Sequence, residues 1–273
     1  MSENSTEDIQ LYLNMLERLR KESFNQTTNK ALASHPYLVA AKEGTLTMAQ
    51  RRAFVGEQYA IQYSDACSFA KLAGHDHFHP ATLLTASVPK PPPPTTTTTT
   101  TTIGTNKVGN NNNHEDDLFQ FLLGGEVYAS KLLLVHAQSV GFDTEEAIQG
   151  YPITARAQAY PSYWARLALT KQRGAGAAAC AVNFPAWGNM CAEIALALKT
   201  RPEYGYRNSI DGNEDRQSSL AFIDFFATPI DNLDTMAATI MMQERTTYED
   251  LVTVVRLLQQ YEVMFWDAIY DAR

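Results

Sequence analysis

Helical periodicity is the feature that most limits what this chain can fold into. Apolar residues recur at spacings of three and four through most of the sequence, and no segment of useful length alternates as a half-buried strand does. The chain has 273 residues, of which 45% are hydrophobic, enough to bury one large core. The sequence therefore predicts a single all-α domain over residues 1–273.

The helical pattern divides the chain into segments of usual helix length. The predicted helices are Ile9–Lys30, a short helix ended by Gly44, Ala49–Ala73, Leu118–Ser139, Tyr160–Lys171, Gly174–Lys199, Gln217–Phe226, Leu233–Gln243 and Tyr248–Ala272. Between the third and fourth lies a tract of proline, threonine and asparagine over residues 89–113, which has nothing to bury. We interpret this tract as a disordered insert within the domain, because helical patterns of the same kind flank it.

Charge and cysteine content exclude several classes of protein. The formal net charge of −8 is the opposite of the basic footprint of a nucleic-acid binder, and it disfavours an anionic membrane surface. Three cysteines cannot form a disulfide framework, and the polar, acidic first residues do not resemble a secretory signal. We expect a cytoplasmic protein with no membrane or nucleic-acid partner.

Two patterns bear on metal binding, and neither predicts a site. His75, His77 and His79 occupy every second position, so they cannot share a helix face, and we interpret them as a solvated junction. A di-iron carboxylate bundle needs repeated Glu-x-x-His pairs. The internal glutamates that lack a histidine three residues later are Glu57, Glu126 and Glu262.

Glu262 is the most informative single residue. It shares its predicted helix face with Val255, Leu258, Phe265 and Ile269, at spacings of three, four and seven. A buried carboxylate costs several kcal/mol unless it has a partner or takes up a proton. The pattern leaves two interpretations open: a core glutamate paired with an arginine or a tyrosine, and a functional acid that faces a cavity.

Four motifs, in order, resemble the TenA family, which comprises thiaminase II and its relatives. They are "HPYLVAAKEGTLTMAQRRAFVGEQYAIQYSDACSFAKLAG" from His35, "AYPSYWARLAL", "AAACAVNFPAWGNMCAEI" and the terminal "QYEVMFWDAIYDA". The resemblance implies a haem-oxygenase-like helical bundle with a central ligand pocket, assembled as a homo-oligomer. It also implies hydrolysis of thiamin-derived aminopyrimidines without a metal or an organic cofactor.

The resemblance assigns roles to residues unevenly. Glu262 falls on the family's catalytic acid/base, Tyr160 on an active-site tyrosine, and Asn183 on the position of the nucleophilic cysteine. An ungapped count places the substrate-holding aspartate at Gln58, with Glu57 beside it, and a second tyrosine at Asp211. The expected wall residues of the pocket are Tyr59, Trp187 and Phe265.

Replacement of the cysteine by Asn183 leaves the activity open at this point. Asparagine cannot act as a thiolate nucleophile, although Cys180 lies one turn earlier on the same predicted helix. A cysteine-free hydrolase, in which Glu262 activates water, is the first hypothesis. The second is a non-catalytic or diverged protein that binds another small heteroaromatic ligand. The third, which the missing Glu-x-x-His disfavours, is a metal-dependent oxygenase of the same fold.

Overall fold

The structure is an all-α bundle, as the periodicity predicts. The computed structural model describes residues 3–76, 78, 117–206 and 218–273, with side chains from residue 8 onwards, and contains no strand within those ranges. The predicted insert at 89–113 lies outside the described residues. The helices are α1 Glu3–Lys21, α2 Ser23–Ala33, α3 Pro36–Glu43, α4 Met48–Leu72, α5 Leu118–Gln138, α6 Glu145–Gln149, α7 Ala159–Leu169, α8 Arg173–Lys199, a 3₁₀ turn Pro202–Tyr204, α9 Ala221–Ala227, α10 Leu233–Gln243 and α11 Tyr248–Tyr270.

Local signals in the sequence set the starts of the two helices that matter most for the cavity. The Thr47 hydroxyl accepts the Gln50 backbone N–H at 3.2 Å, and the Gln50 side chain accepts the Thr47 N–H at 2.9 Å, so α4 begins with a capping box. Thr247 and Asp250 form the same reciprocal pair at the start of α11. These bonds satisfy backbone donors that a helix N-terminus leaves without partners.

The first predicted helix is wrong in one respect, because Ile9–Lys30 is two helices rather than one. The break falls at Glu22, whose backbone is extended and whose carboxylate accepts a hydrogen bond from the Tyr248 hydroxyl at 2.6 Å. No proline or glycine marks this break, so a tertiary contact rather than a local signal accompanies it. The five-residue helix α6 was not predicted, since periodicity carries little information over so short a segment.

Helices α4, α8 and α11 form the interior of the bundle. Helix α4 packs on α5 and α7, while α8 packs on α9, α10 and α11. The Gly174–Ala181 stretch of α8 is almost free of side-chain bulk, and a Cβ at Gly176 would lie 3.2 Å from Trp164 and 3.3 Å from Phe119. The small residues therefore let aromatic side chains of α5 and α7 pack directly against the α8 backbone.

Helix α5 has the length and apolar composition of a membrane span. In this structure it packs on α4, α9 and α10, and it carries the carboxyl group of Glu126 on a face that points into the bundle. A core helix that is mostly buried by its neighbours satisfies the same criteria of length and composition. The predicted buried helix at Gly174–Leu198 likewise forms the central helix α8.

The packing of α4 against the α6–α7 connection gives a direct stability prediction. A Cβ at Gly56 would overlap the ring and Cβ of Tyr151, whereas a Cβ at Gly124 in the interior of α5 would meet nothing within 4 Å. We expect Gly56→Ala to lower the free energy of unfolding by about 1–3 kcal/mol. The control Gly124→Ala is expected to be neutral or to stabilise by about 0.5–1 kcal/mol. Urea unfolding of both variants checks this, and equal effects would contradict the proposed close approach.

Candidate active site

A cavity of about 890 Å³ lies between α4, α5, α7, α8 and α11, closed on one side by α9 and the α9–α10 connection. Its size is that of a site for a small organic ligand. Eight aromatic side chains line the cavity, and so do five acidic side chains from α4, α5, α11 and the region around Asp231. The centre of the bundle therefore combines apolar walls with a concentrated set of carboxyl groups.

Glu262 faces this cavity from α11. Its side chain is only 4% exposed, and its Oε1 atom has no hydrogen-bond partner in the structure. Burial raises the pKa of the Glu262 carboxyl to about 8. The Trp266 indole N–H lies near the carboxyl and lowers this pKa, although the two groups do not form a hydrogen bond. Of the two interpretations left open by the sequence, a core glutamate paired with an arginine or tyrosine does not describe this residue.

Asn183 reaches the cavity from α8 at the point where the helix is interrupted by a proline. Pro185 has no N–H, so the carbonyl of Ala181 loses its intrahelical donor. The guanidinium of Arg20 donates to that carbonyl at 2.9 Å and is itself held by Asp234 at 2.5 and 2.6 Å. An ion pair from α1 and α10 therefore satisfies the backbone just before Asn183.

The amide of Asn183 is itself without a partner. It is 2% exposed, and neither its oxygen nor its nitrogen makes a hydrogen bond in the structure. Buried polar groups are normally hydrogen-bonded, and an unsatisfied one costs about 1–3 kcal/mol. Asn183 lines the cavity, and its amide has one acceptor and two donors that are unused in this structure.

Tyr160 lies close to both Glu262 and a second acidic side chain, Asp65. It lies at the start of α7 and lines the cavity. Burial raises the pKa of the Tyr160 phenol well above its usual value, and the charges of Asp65 and Glu262 raise that pKa further. The phenol thus stays a neutral donor close to both carboxyl groups.

The remaining predicted residues divide between the cavity and other places. Gln58, Trp187 and Phe265 line the cavity together with Glu262, Tyr160 and Asn183. Two further predicted site residues that the structure describes, Glu57 and Tyr59, do not line the cavity. Asp211 lies outside the described residues.

The neighbours of Gln58 on α4 point to different partners. The Glu57 carboxylate accepts the Thr154 backbone N–H at 2.8 Å and the Gln158 amide at 2.7 Å, which anchors the segment before α7. Tyr59 donates to Glu145 at 2.5 Å, on the side of α6. Consecutive helical residues point about 100° apart, so only Gln58 of the three faces the cavity.

Two carboxyl groups of the cavity wall were not predicted as site residues. Asp65 on α4 is 5% exposed and its Oδ1 atom has no partner. Glu126 on α5 lines the cavity beside it and accepts a weak hydrogen bond of 3.4 Å from Gln62. Burial and the neighbouring Glu126 charge raise the pKa of Asp65 well above its usual value, and burial raises that of Glu126. Asp65 follows Gln58 by seven residues on one helix face, a spacing that signals their shared wall.

Cys180 does not line the cavity. It is fully buried, and burial together with the Asp65 charge raises the pKa of its thiol well above the usual value. A thiol in this state carries almost no thiolate. The cavity-lining part of α8 begins at Asn183, three residues after Cys180.

Metal ligands are not clustered in the part of the chain that the structure describes. No group of three or more histidine, cysteine, aspartate or glutamate side chains is arranged to hold an ion there. His136 instead donates from Nδ1 to the Ser219 carbonyl at 2.7 Å and stacks on Tyr206. His75 contacts Gln120 at 2.5 Å, while His77 and His79 lie outside the described residues.

The raised pKa of Glu262 predicts a pH-dependent stability. The native state holds the Glu262 proton up to about pH 8, whereas an unfolded glutamate releases it near 4.5, so the native state binds more protons between these values. The free energy of unfolding must therefore fall as pH rises through this window. Glu262→Gln is expected to reduce the fall by about 1–3 kcal/mol. Thermal unfolding from pH 5 to pH 9 checks this, and an unchanged pH profile would contradict the burial of an acid.

Comparison with known proteins supports the fold. No family model and no curated protein matches the sequence. Among solved structures, the chain is similar to a TenA homologue protein from P. horikoshii OT3, with 14% sequence identity and a TM-score of 0.61. The similarity covers 94% of this chain and 98% of that one. The chain therefore has the TenA-like, haem-oxygenase-like fold that its motifs resemble.

Proposed function

We propose that this protein hydrolyses a thiamin-derived aminopyrimidine, with Glu262 as the acid/base. The observation that carries the proposal is that the Glu262 carboxyl, the Asn183 amide and the Tyr160 phenol line one cavity of about 890 Å³. The TenA homologue has a similar fold. In the motifs that resemble its family, Glu262 and Tyr160 fall on family residues, whereas Asn183 replaces the family's cysteine. A cytoplasmic location and assembly as a homo-oligomer belong to the same proposal.

The proposed reaction replaces an amino group of the pyrimidine by a hydroxyl group. The Glu262 carboxylate takes a proton from water as the water oxygen bonds to the electron-poor ring carbon. The same proton then passes to the amino nitrogen, the C–N bond breaks, and ammonia leaves. A group with a pKa of about 8 suits both steps, because its carboxylate is a stronger base than an ordinary glutamate and its acid form is abundant at neutral pH.

Two amides are placed to hold the pyrimidine edge. Gln58 and Asn183 reach the cavity from α4 and α8, and each offers both a donor and an acceptor, as does an aminopyrimidine edge. Phe265 and Trp187, whose ring centroids are 5.8 Å apart, supply flat apolar surface for the ring. The Tyr160 phenol is a neutral donor for the oxygen that attacks the ring.

Asn183 also supports the second candidate, a protein that binds a heteroaromatic ligand without turning it over. The family's chemistry uses a thiolate at this position, and an amide cannot form the corresponding covalent intermediate. The two candidates differ in one measurable respect, since both require ligand binding in the cavity but only the hydrolase releases ammonia.

Ammonia release by the unmodified protein separates the two candidates, and conversion of Glu262 to glutamine tests the acid/base role of that residue. We expect Glu262→Gln to lower the rate of ammonia release from aminopyrimidines by about 10²–10⁴-fold, because the amide cannot accept the proton of water. The matched control is Glu249→Gln, the same change on an exposed residue of the same helix. An enzyme-coupled ammonia assay checks the rates. Ligand binding without ammonia release by the unmodified protein would favour the binder, and equal rates in both variants would contradict the role of Glu262.

Replacement of Cys180 tests whether a thiol takes part. We expect Cys180→Ala to leave the rate of ammonia release within about twofold of the parent rate, because this thiol is protonated and lies behind the cavity wall. Loss of activity in a variant that still folds, measured by circular dichroism in parallel, would instead assign the nucleophile to Cys180.

A further inference from the structure

Asp65 and Glu126 form a pair of acidic side chains in the cavity wall that the proposed hydrolysis does not use. They come from α4 and α5, two helices that pack along each other, and their charges influence one another. Asp65 lines the cavity, is 95% buried, and has no hydrogen-bond partner for its Oδ1 atom. Glu126 is only half-buried, because part of its side chain faces the same space.

The described wall of the cavity contains acidic side chains and no basic ones. The acidic residues of the wall are Asp65, Glu126, Asp231, Asp234 and Glu262. No lysine, arginine or histidine of the described chain lines the cavity, and Arg20, which pairs with Asp234 at 2.5 Å, lies outside the wall. A cation that enters this cavity favours the ionised form of the wall carboxyl groups, whereas a phosphate ester or a carboxylate finds no basic side chain among the described wall residues.

The apolar part of the wall selects among cations. Tyr128 and Phe225 lie beside Glu126 in the wall with ring centroids 5.4 Å apart, and Phe121 and Phe226 extend the same aromatic surface. Aromatic faces attract organic cations and stack on flat ones. A hydrated metal ion gains nothing from such a surface, and no three potential ligands converge in the described residues.

We propose that Asp65 and Glu126 form a binding subsite for a planar organic cation with N–H donors, such as an amidinium or a protonated amino-heteroaromatic group. This deepens the proposed function by assigning the substrate a positive charge and no phosphate. The unpartnered Asp65 oxygen and the cavity-facing oxygens of Glu126 accept the N–H groups, and the aromatic wall covers the flat face. Glu262 and Asn183 line the same cavity and are not used by this subsite, so they remain free for the reacting atoms.

Ligands of the same shape and different charge test the subsite. Benzamidine is a planar cation at pH 7, benzamide is its neutral isostere, and benzoate is an anion. We expect titration calorimetry on the unmodified protein to give at least about tenfold tighter binding of benzamidine than of benzamide, and no measurable binding of benzoate. Equal affinities for benzamidine and benzamide, or tighter binding of benzoate, would overturn the proposal.

Variants locate the subsite within the cavity. Asp65→Asn and Glu126→Gln are expected to weaken benzamidine binding about tenfold to hundredfold, and to change benzamide binding by no more than about threefold. The matched control is Asp143→Asn, which removes one charge from an exposed residue outside the cavity and is expected to change neither. Parent-like benzamidine binding by both cavity variants would overturn the proposal. If neither variant folds, the charge comparison on the unmodified protein decides.

The benzamidine and benzamide titrations and the ammonia assay, both on the unmodified protein, separate this inference from the proposed hydrolysis. Preference for benzamidine in a protein that releases no ammonia from any aminopyrimidine supports the cation subsite while the hydrolase proposal fails. Ammonia release without any preference for the cation contradicts the subsite and leaves the hydrolase proposal intact.

Discussion

Burial of carboxyl groups around one cavity is the constraint on which the middle of this molecule depends. An acid moved from water into a protein interior must gain a partner or hold its proton, and Glu262 and Asp65 each retain an oxygen without a partner. Both therefore have pKa values raised by burial. A structure that only needed to be stable would fill these positions with apolar residues, and the ligand-binding role that we propose for the cavity accounts for the acids there.

The two halves of α8 have different roles in the bundle, since the first packs tightly and the second lines the cavity. Small residues at the start of α8 let Trp164 and Phe119 pack tightly against the helix backbone. Pro185 then interrupts the hydrogen bonds of α8, and Arg20 satisfies the carbonyl that this frees. The second half of α8 lines the cavity from Asn183 to Asn189. The site thus depends on an ion pair from α1 and α10, remote in sequence from every residue of the proposed chemistry.

Much of the fold follows from periodicity, and the part of the site carried by single helices follows with it. The apolar stripe around Glu262 sufficed to identify an inward-facing acid, because a helix of 23 residues fixes directions well. Contacts between distant segments were less predictable. The break at Glu22 coincides with a contact to Tyr248. Asp65 and Glu126 come together only through the packing of α4 on α5. The ungapped count that gave Gln58 also placed Glu57 in the pocket, and Tyr59 was expected in its wall, but of these three consecutive helical residues only Gln58 lines the cavity.

The protonation state of Glu262 is the most direct test of this account. Carbon-13 NMR of protein labelled at the glutamate carboxyl carbon, with Glu262→Gln to assign the resonance, measures the pKa of this single group. The account predicts an apparent pKa near 8, because the carboxyl faces a cavity walled by aromatic side chains and other acids. A pKa near 4.5, the value of a glutamate in water, would show that Glu262 is solvated or paired and would contradict the site described above.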